Sequence, residues 1–313
     1  MNKEMGRGTS TDSQKIRSVL KYKYYYLLLL PAIAYYITFS YVPMGGIVVA
    51  FQDYNVFKGV SGSEWVGFKW FIQIFSSGDF LTVLRNTVLI SVYTLVLTFP
   101  APIIFALMLN ECKGLMFKKI IQTVSYLPHF ISWSVVAGLI VTMLSPSSGI
   151  INQIIEQLGQ EPVYFMAEPQ YIRGIMVLSS LWKGLGWSSI IYLAALTGIP
   201  TEQYESAVLD GANKLQQTFY ITLPGISNII IMTLIFSVSG LFNVGFEQAY
   251  NLVIPATFET GQVISTYVYR LGVRNMQYSF TTAVGLAQSV VGMFLLIGAN
   301  QAAKKFNPDS AIW

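Results

Sequence analysis

The chain has 313 residues, 53% of them hydrophobic and only 11% charged, with a formal net charge of +4 and a mean hydropathy of +0.53. Soluble domains carry about 25% charged residues, so a small soluble enzyme is excluded, and a bilayer accounts for the deficit. The lone Cys112 excludes an internal disulfide, the lone His129 excludes a histidine-based metal site, and so small and scattered a charge excludes a nucleic-acid surface.

Taken in chain order, the first 23 residues hold six basic side chains. No small-residue cleavage site follows, and the apolar run 24–51 is too long for a signal-peptide core, so it is read as a retained first span. Five further runs, 84–109, 120–144, 174–196, 226–244 and 278–302, are also long and apolar enough to cross. Runs of this length satisfy their own backbone groups only as helices; barrel strands are about half as long and alternate. The expectation is an all-α membrane protein built as a six-span helical bundle. Pro31, Pro43, Pro100, Pro102 and Pro128 predict kinks in the first three spans, tolerated where neighbours cover the freed carbonyls.

Six spans put both termini on one side. With that side cytoplasmic, twelve of the nineteen lysines and arginines lie inside, led by the N-terminal cluster and Lys113, Lys118 and Lys119. The positive-inside rule then predicts N-in, C-in. The domain expectation is a cytoplasmic segment 1–23, a transmembrane domain 24–302 and a cytoplasmic tail 303–313. Outside, Ile150, Ile151, Ile154, Ile155 and Leu158 predict a helix in the loop 145–173, and 260–275 predicts a second short one. These serve either as a docking surface or as simple loop ordering. Tyr24, Tyr25, Tyr26, Trp65 and Trp70 read as interfacial anchors.

The connection 200–224, PTEQYESAVLDGANKLQQTFYITLP, is far longer than a bundle needs. It predicts a helix ending near Leu209, a tight turn at Asp210-Gly211, and a second helix carrying Leu215, Phe219, Ile221 and Leu223 before Pro224. Small Ser206, Ala207 and Ala212 allow another surface to approach closely. Such an elbow on the cytoplasmic face is built to be gripped by a partner.

Glu205-Ser206-Ala207, three residues, Gly211, nine residues and Ile221-x-Leu223-Pro224 closely resemble the EAA loop of ABC importer permeases, with pattern E-A-A-x3-G-x9-I-x-L-P. Ser206 is the one departure and is small enough for the same contact. LWKGLGWSSIIYLAAL, TYVYR and NQAAKKF extend the resemblance over most of the chain, toward oligosaccharide permeases of Gram-positive bacteria, including those for pectin-derived fragments. It implies a type I ABC importer permease fold with cytoplasmic coupling helices, in the cell membrane. The implied partners are a homologous second permease, a cytoplasmic ATPase dimer and an extracellular sugar-binding lipoprotein, with an oligosaccharide as cargo. The chain has no G-x4-G-K-[ST] phosphate loop, so no cofactor is expected on it, and ATP and Mg are expected on the ATPase. In the coupling role the resemblance places Glu205, Ser206, Ala207, Asp210, Gly211, Ile221, Leu223 and Pro224, with Glu205 anchoring the elbow and Gly211 setting its bend.

Sugars are held by aromatic faces and hydroxyl-bonding groups. Ser180, Lys183, Gly184 and Trp187 share one helical face of the fourth span, His129 and Trp133 lie one turn apart beside Pro128, and Gly240, Asn243 and Glu247 repeat the spacing in the fifth. The resemblance to maltose-type importers places Ser180, Gly184, Trp187, Asn243, His129 and Trp133 at the sugar cavity. Lys183 either marks a functional site or snorkels to the interface; His129 either satisfies a backbone carbonyl or binds ligand. The pair fits a carboxylate-bearing sugar, though a neutral sugar fits as well. The alternative is a stand-alone ion-coupled secondary transporter, which predicts more intramembrane carboxylates and, usually, internal repeats. An intramembrane enzyme lacks a catalytic set, and a homo-oligomeric channel leaves the elbow without a purpose.

Overall fold

The computed structural model describes residues 21–306, so most of the N-terminal segment and the last seven residues of the tail lie outside the described residues. The chain divides into two compact units, 1–67 and 68–313. In the first, α1 (Lys23–Phe51) is apolar on every side, as a helix facing lipid must be. It loosens to a π-turn at Ile37–Tyr41, just before Pro43, whose ring and missing N–H disturb the hydrogen-bond ladder there. A two-stranded ribbon follows, β1 (Gln52–Asp53) antiparallel to β2 (Glu64–Trp65), with Gln52 opposite Trp65.

The second unit opens with α2 (Lys69–Ser76) and α3 (Gly78–Glu111). It continues with α4 (Leu115–Phe130), α5 (Trp133–Met143), α6 (Ile150–Gln157) and α7 (Pro169–Leu196). Then come α8 (Thr201–Leu209), α9 (Lys214–Gly225), α10 (Ser227–Ser239), α11 (Phe246–Leu252), α12 (Phe258–Gly261), α13 (Ile264–Tyr269) and α14 (Tyr278–Phe306). Among the described residues, α1, α3 and α14 are long and apolar enough to cross a membrane, and the bent pairs α4–α5 and α9–α10 raise the number to five. At 28 residues α7 is long enough too, but it is the polar hub, carrying Arg173, Ser179, Ser180, Lys183, Ser188 and Ser189. It packs against α3, α4, α10, α11 and α12. One apolar cluster forms around Ile172 and Met176 near its start, and another around Tyr192 and Leu196 near its end.

Two expected spans differ from their continuous form. Where a kink was expected at Pro128, α4 and α5 meet at 102°. Ser132 caps the new helix, accepting from the Val135 N–H at 3.4 Å. The fifth span, expected to run to 244, stops at Ser239. Gly240 and Asn243 close a turn, with the Asn243 N–H donating to the Gly240 carbonyl at 2.8 Å. Irregular backbone is tolerated at membrane depth only where its polar groups find partners. Here Gln288 of α14 donates to the Phe242 carbonyl at 2.6 Å and Ser265 to that of Val244 at 3.2 Å.

The two loop helices expected from the sequence form as α6 and α13. Loop 255–262 is tied to the start of α7 by a polar network. Arg173 donates to the Thr260 carbonyl at 3.0 Å and to Asn86 Oδ1 at 2.8 Å, and Asn86 donates to the Glu259 carbonyl at 2.9 Å. The elbow α8–α9 follows the other end of α7, about 42 Å away at 1.5 Å per residue.

Candidate functional site

Ser180, Gly184 and Trp187 lie along α7 as their spacing predicts, on the wall of an open cavity of about 490 Å³. Opposite them, α3 contributes Thr94, Thr98 and Phe99, and α10 contributes Thr233 and Phe236. The Tyr192 hydroxyl meets Thr233 Oγ1 at 2.9 Å, joining α7 to α10 at the cavity wall. A smaller recess of about 180 Å³ shares Ser180 and is closed by Gly240, Asn243 and Gln248. Hydroxyls line both, with aromatic rings in the larger and the amides of Asn243 and Gln248 in the smaller, and no charged side chain lines either.

Lys183 leaves the face its spacing shares with Ser180, Gly184 and Trp187. Its ammonium donates to the carbonyls of Pro128 at 3.1 Å, His129 at 2.8 Å and Ile131, all at the α4–α5 break. An ammonium has three donors, so none is left for a substrate carboxylate. The Trp133 ring centroid lies 5.6 Å from the ammonium. His129 stacks flat on Trp187, with centroids 4.4 Å apart and planes within 4°, while Phe130 meets the same indole edge-on. The break is thus held twice from α7, by a cation and by a ring. Replacing Lys183 with methionine removes all three bonds, leaving the Pro128 carbonyl only the Ile131 N–H at 3.2 Å. At about 0.6 kcal/mol per bond in a bilayer, the loss approaches ~2 kcal/mol and should read out as a lower melting temperature in mild detergent; an unchanged value would contradict the clamp.

Glu247 does not continue the face of Gly240 and Asn243, because the turn after Ser239 resets the helical phase. It is exposed on α11, while its neighbour Gln248, not singled out from the sequence, is buried. Gln248 Nε2 donates to the Met176 carbonyl at 2.6 Å and to Ser179 Oγ at 3.0 Å, and its Oε1 accepts from Ser180 at 3.0 Å. A glutamine in the run FEQAYNL was the available signal, but only the broken span turns it toward α7.

The elbow is specified residue by residue. The Ala212 N–H donates to the Ala207 carbonyl at 2.8 Å and the Gly211 N–H to that of Val208 at 3.1 Å. This is the paired bonding of a Schellman ending, with Gly211 at φ +81°. Two residues later Asn213 and Gln216 exchange bonds of 2.9 and 2.8 Å in a capping box that starts α9. The Tyr204 hydroxyl meets Thr222 Oγ1 at 3.0 Å and braces the two arms. Leu223 packs on the Tyr192–Leu196 core and Ile221 is half-buried, so these two root the elbow in the bundle. Glu205, Ser206, Asp210 and Pro224 are exposed, together with Leu209, Leu215, Phe219 and Tyr220. An apolar set so exposed on a hydrogen-bonded scaffold marks an interaction surface.

Residues 99–306 match the family described as binding-protein-dependent transport system inner membrane component. The chain is 42% identical to the polygalacturonan/rhamnogalacturonan transport system permease protein YteP of Bacillus subtilis (strain 168), over 93% of this chain and 91% of the relative. It is similar to a bacterial ABC transporter involved in the import of the acidic polysaccharide alginate, with TM-score 0.87, 38% identity and 94% and 99% of the two chains covered. It is also similar to a bacterial alginate ABC transporter in complex with alginate pentasaccharide-bound periplasmic protein, with TM-score 0.86, 39% identity and coverage of 93% and 97%. These likenesses set the stand-alone carrier aside. With its apolar helices, its polar hub and this match, the chain belongs to the binding-protein-dependent transport system inner membrane components, as a multi-pass permease subunit of an ABC transporter.

Proposed function

We propose that the chain forms half of the transmembrane path of an ATP-driven importer, and that its cargo is an oligosaccharide delivered by an extracellular binding lipoprotein. A homologous second permease completes the path, and an ATPase dimer carrying ATP and Mg grips the α8–α9 elbow. The transmembrane domain is 24–302, crossing six times with α7 as the fourth span and both ends, 1–23 and 303–313, inside. The basic residues concentrated in the N-terminal sequence support that orientation, as do those at 113–119, which follow Glu111, the ion-pair partner of Lys214 in the elbow at 3.3 Å. The observation that carries the reading is the elbow itself, an exposed apolar surface fixed by a Schellman ending and a capping box, at the end of the same helix, α7, whose residues from Ser180 to Tyr192 line a hydroxyl-bearing cavity.

In this reading ATP binding closes the ATPase pair and moves the elbow as a lever. Ile221 and Leu223, rooted in the bundle, pass that motion to α7 and α10, and the cavity turns outward beneath the docked binding protein. Hydrolysis resets it inward and releases the sugar. Ser180, Gly184, Trp187, Gly240 and Asn243 face the cargo; His129 backs Trp187, Lys183 with Trp133 holds the break behind it, and Glu247 stands clear. Trp187→Ala and Asn243→Ala are each expected to cut oligosaccharide uptake about tenfold, the worth of a lost contact of about 1.4 kcal/mol, with assembly intact. Normal uptake kinetics in both would overturn the cavity assignment.

A further inference from the structure

A second concave site lies at the end of the bundle remote from the elbow, between α11 and α13. Its volume is about 310 Å³, within the range of small-molecule sites. Tyr250 and Tyr269 line it, and Phe246 stacks on Tyr250 with centroids 5.2 Å apart. The Tyr250 and Tyr269 rings meet edge-to-face at 5.5 Å, so the cluster offers both ring faces and phenolic hydroxyls.

The difference from the cavity beside α7 is charge. Arg270 and Arg274 both line this groove. The Arg270 guanidinium lies 4.9 Å from the Phe258 centroid and donates to Gln262 Oε1 at 3.3 Å. Arg274 donates to the Tyr250 hydroxyl at 3.3 Å. Both partners are neutral, and the ion pair found among the described residues, Lys214 with Glu111, lies elsewhere. Two guanidiniums, each with five donors, are therefore held in position by neutral groups with most of their donors unspent. Such a fork matches a carboxylate bidentately.

The groove's place gives it a role. It lies across the short helix α11 from the recess that Gln248 closes: Gln248 faces Ser180 on one side, and Tyr250, two residues on, faces the groove on the other. A helix with its side chains is about 10 Å thick, so a sugar held in the groove is separated from the uncharged recess by the thickness of α11 alone.

We propose that Arg270 and Arg274, with Tyr250 and Tyr269, form a subsite outside the membrane path for a uronate unit of an acidic oligosaccharide. The carboxylate lies between the guanidiniums and the ring face rests on tyrosine. The proposal rests on the oligosaccharide-importer reading and adds the substrate class. Selection for charge then occurs at this groove, and the neutral cavity beyond passes the chain by its hydroxyls.

The test uses the assembled importer in nanodiscs without binding protein. Two probes are titrated, trigalacturonate and its fully methyl-esterified form, which keeps the rings and hydroxyls and loses the charge. Trigalacturonate is expected to bind at least tenfold more tightly than the ester. Arg270→Gln with Arg274→Gln should abolish that preference, and lysine at both positions should restore part of it. Equal affinity for the two probes in the unaltered importer, or a preference that survives the double substitution, overturns the proposal. A surviving preference joined to lost stimulation of ATP hydrolysis by the binding protein would assign the guanidiniums to an acidic side chain of that protein instead. Co-purification of an ATPase with the unaltered chain reports on the importer reading separately, so its success beside equal probe affinities would remove the groove alone.

Discussion

Replacing Gly186 by valine is expected to abolish the folded permease. At this position α7 passes so close to α4 that a Cβ would sit 2.2 Å from the Ser125 carbonyl oxygen and 2.4 Å from its carbon. Those are main-chain atoms and cannot rotate aside as a side chain would. Helices in a bilayer associate through such close approaches of small residues, because lipid tails leave no hydrophobic gain in pairing apolar surfaces. Overpacking typically costs ~1–3 kcal/mol, and this clash belongs at or above the upper end. Moving α7 off α4 would also part Trp187 from His129 and withdraw Lys183 from the carbonyls it serves. Size-exclusion chromatography in mild detergent should show aggregate in place of a monodisperse peak. Gly184→Ala is the control: its Cβ would meet only Ser188 Oγ, at 4.0 Å, and the variant should remain folded. A stable, monodisperse Gly186→Val protein would contradict the packing described for α4 and α7.

The second large effect belongs to Gly211→Leu. A Cβ there meets nothing within 4 Å, so the strain comes wholly from the backbone, at φ +81°. A residue other than glycine loses about 1–2 kcal/mol in this region, enough to unwind the Schellman ending while the spans are left alone. The expected outcome is normal insertion with uptake lowered at least tenfold per ATP hydrolysed, because the lever no longer holds its shape. Gly211→Asn should retain most transport, since asparagine accepts this conformation. Full coupling in Gly211→Leu would show that the bend does not carry the motion.

Much of this was legible in the residues. Apolar run length marked α1, α3 and α14, which are long and apolar enough to cross a membrane, and the elbow could be read from Pro200, Gly211 and Pro224 because its turn and caps are local chemistry. The breaks were harder. Pro128 announced a disturbance, but the 102° angle depends on Lys183 reaching across from another helix to satisfy three carbonyls, and no local pattern reports a partner 52 or more residues away. The same lysine shows the limit of face arguments: its spacing from Ser180 and Trp187 is helical, yet a long side chain goes where its donors are satisfied. Gly240, Asn243 and Glu247 were placed on one face by assuming unbroken helix; the turn at 240–245 keeps the first two at the recess and hands the third position to Gln248. Gly186 carries no local signal in the sequence, and only the approach of Ser125 makes it decisive.

The importer account is tested most directly by purifying the tagged chain from its native membrane in mild detergent and identifying by mass spectrometry whatever stays bound. A homologous second permease and a cytoplasmic ATPase are the predicted partners, with a sugar-binding lipoprotein retained when substrate is present. Recovery of this chain alone, with transport intact after reconstitution, would contradict the account.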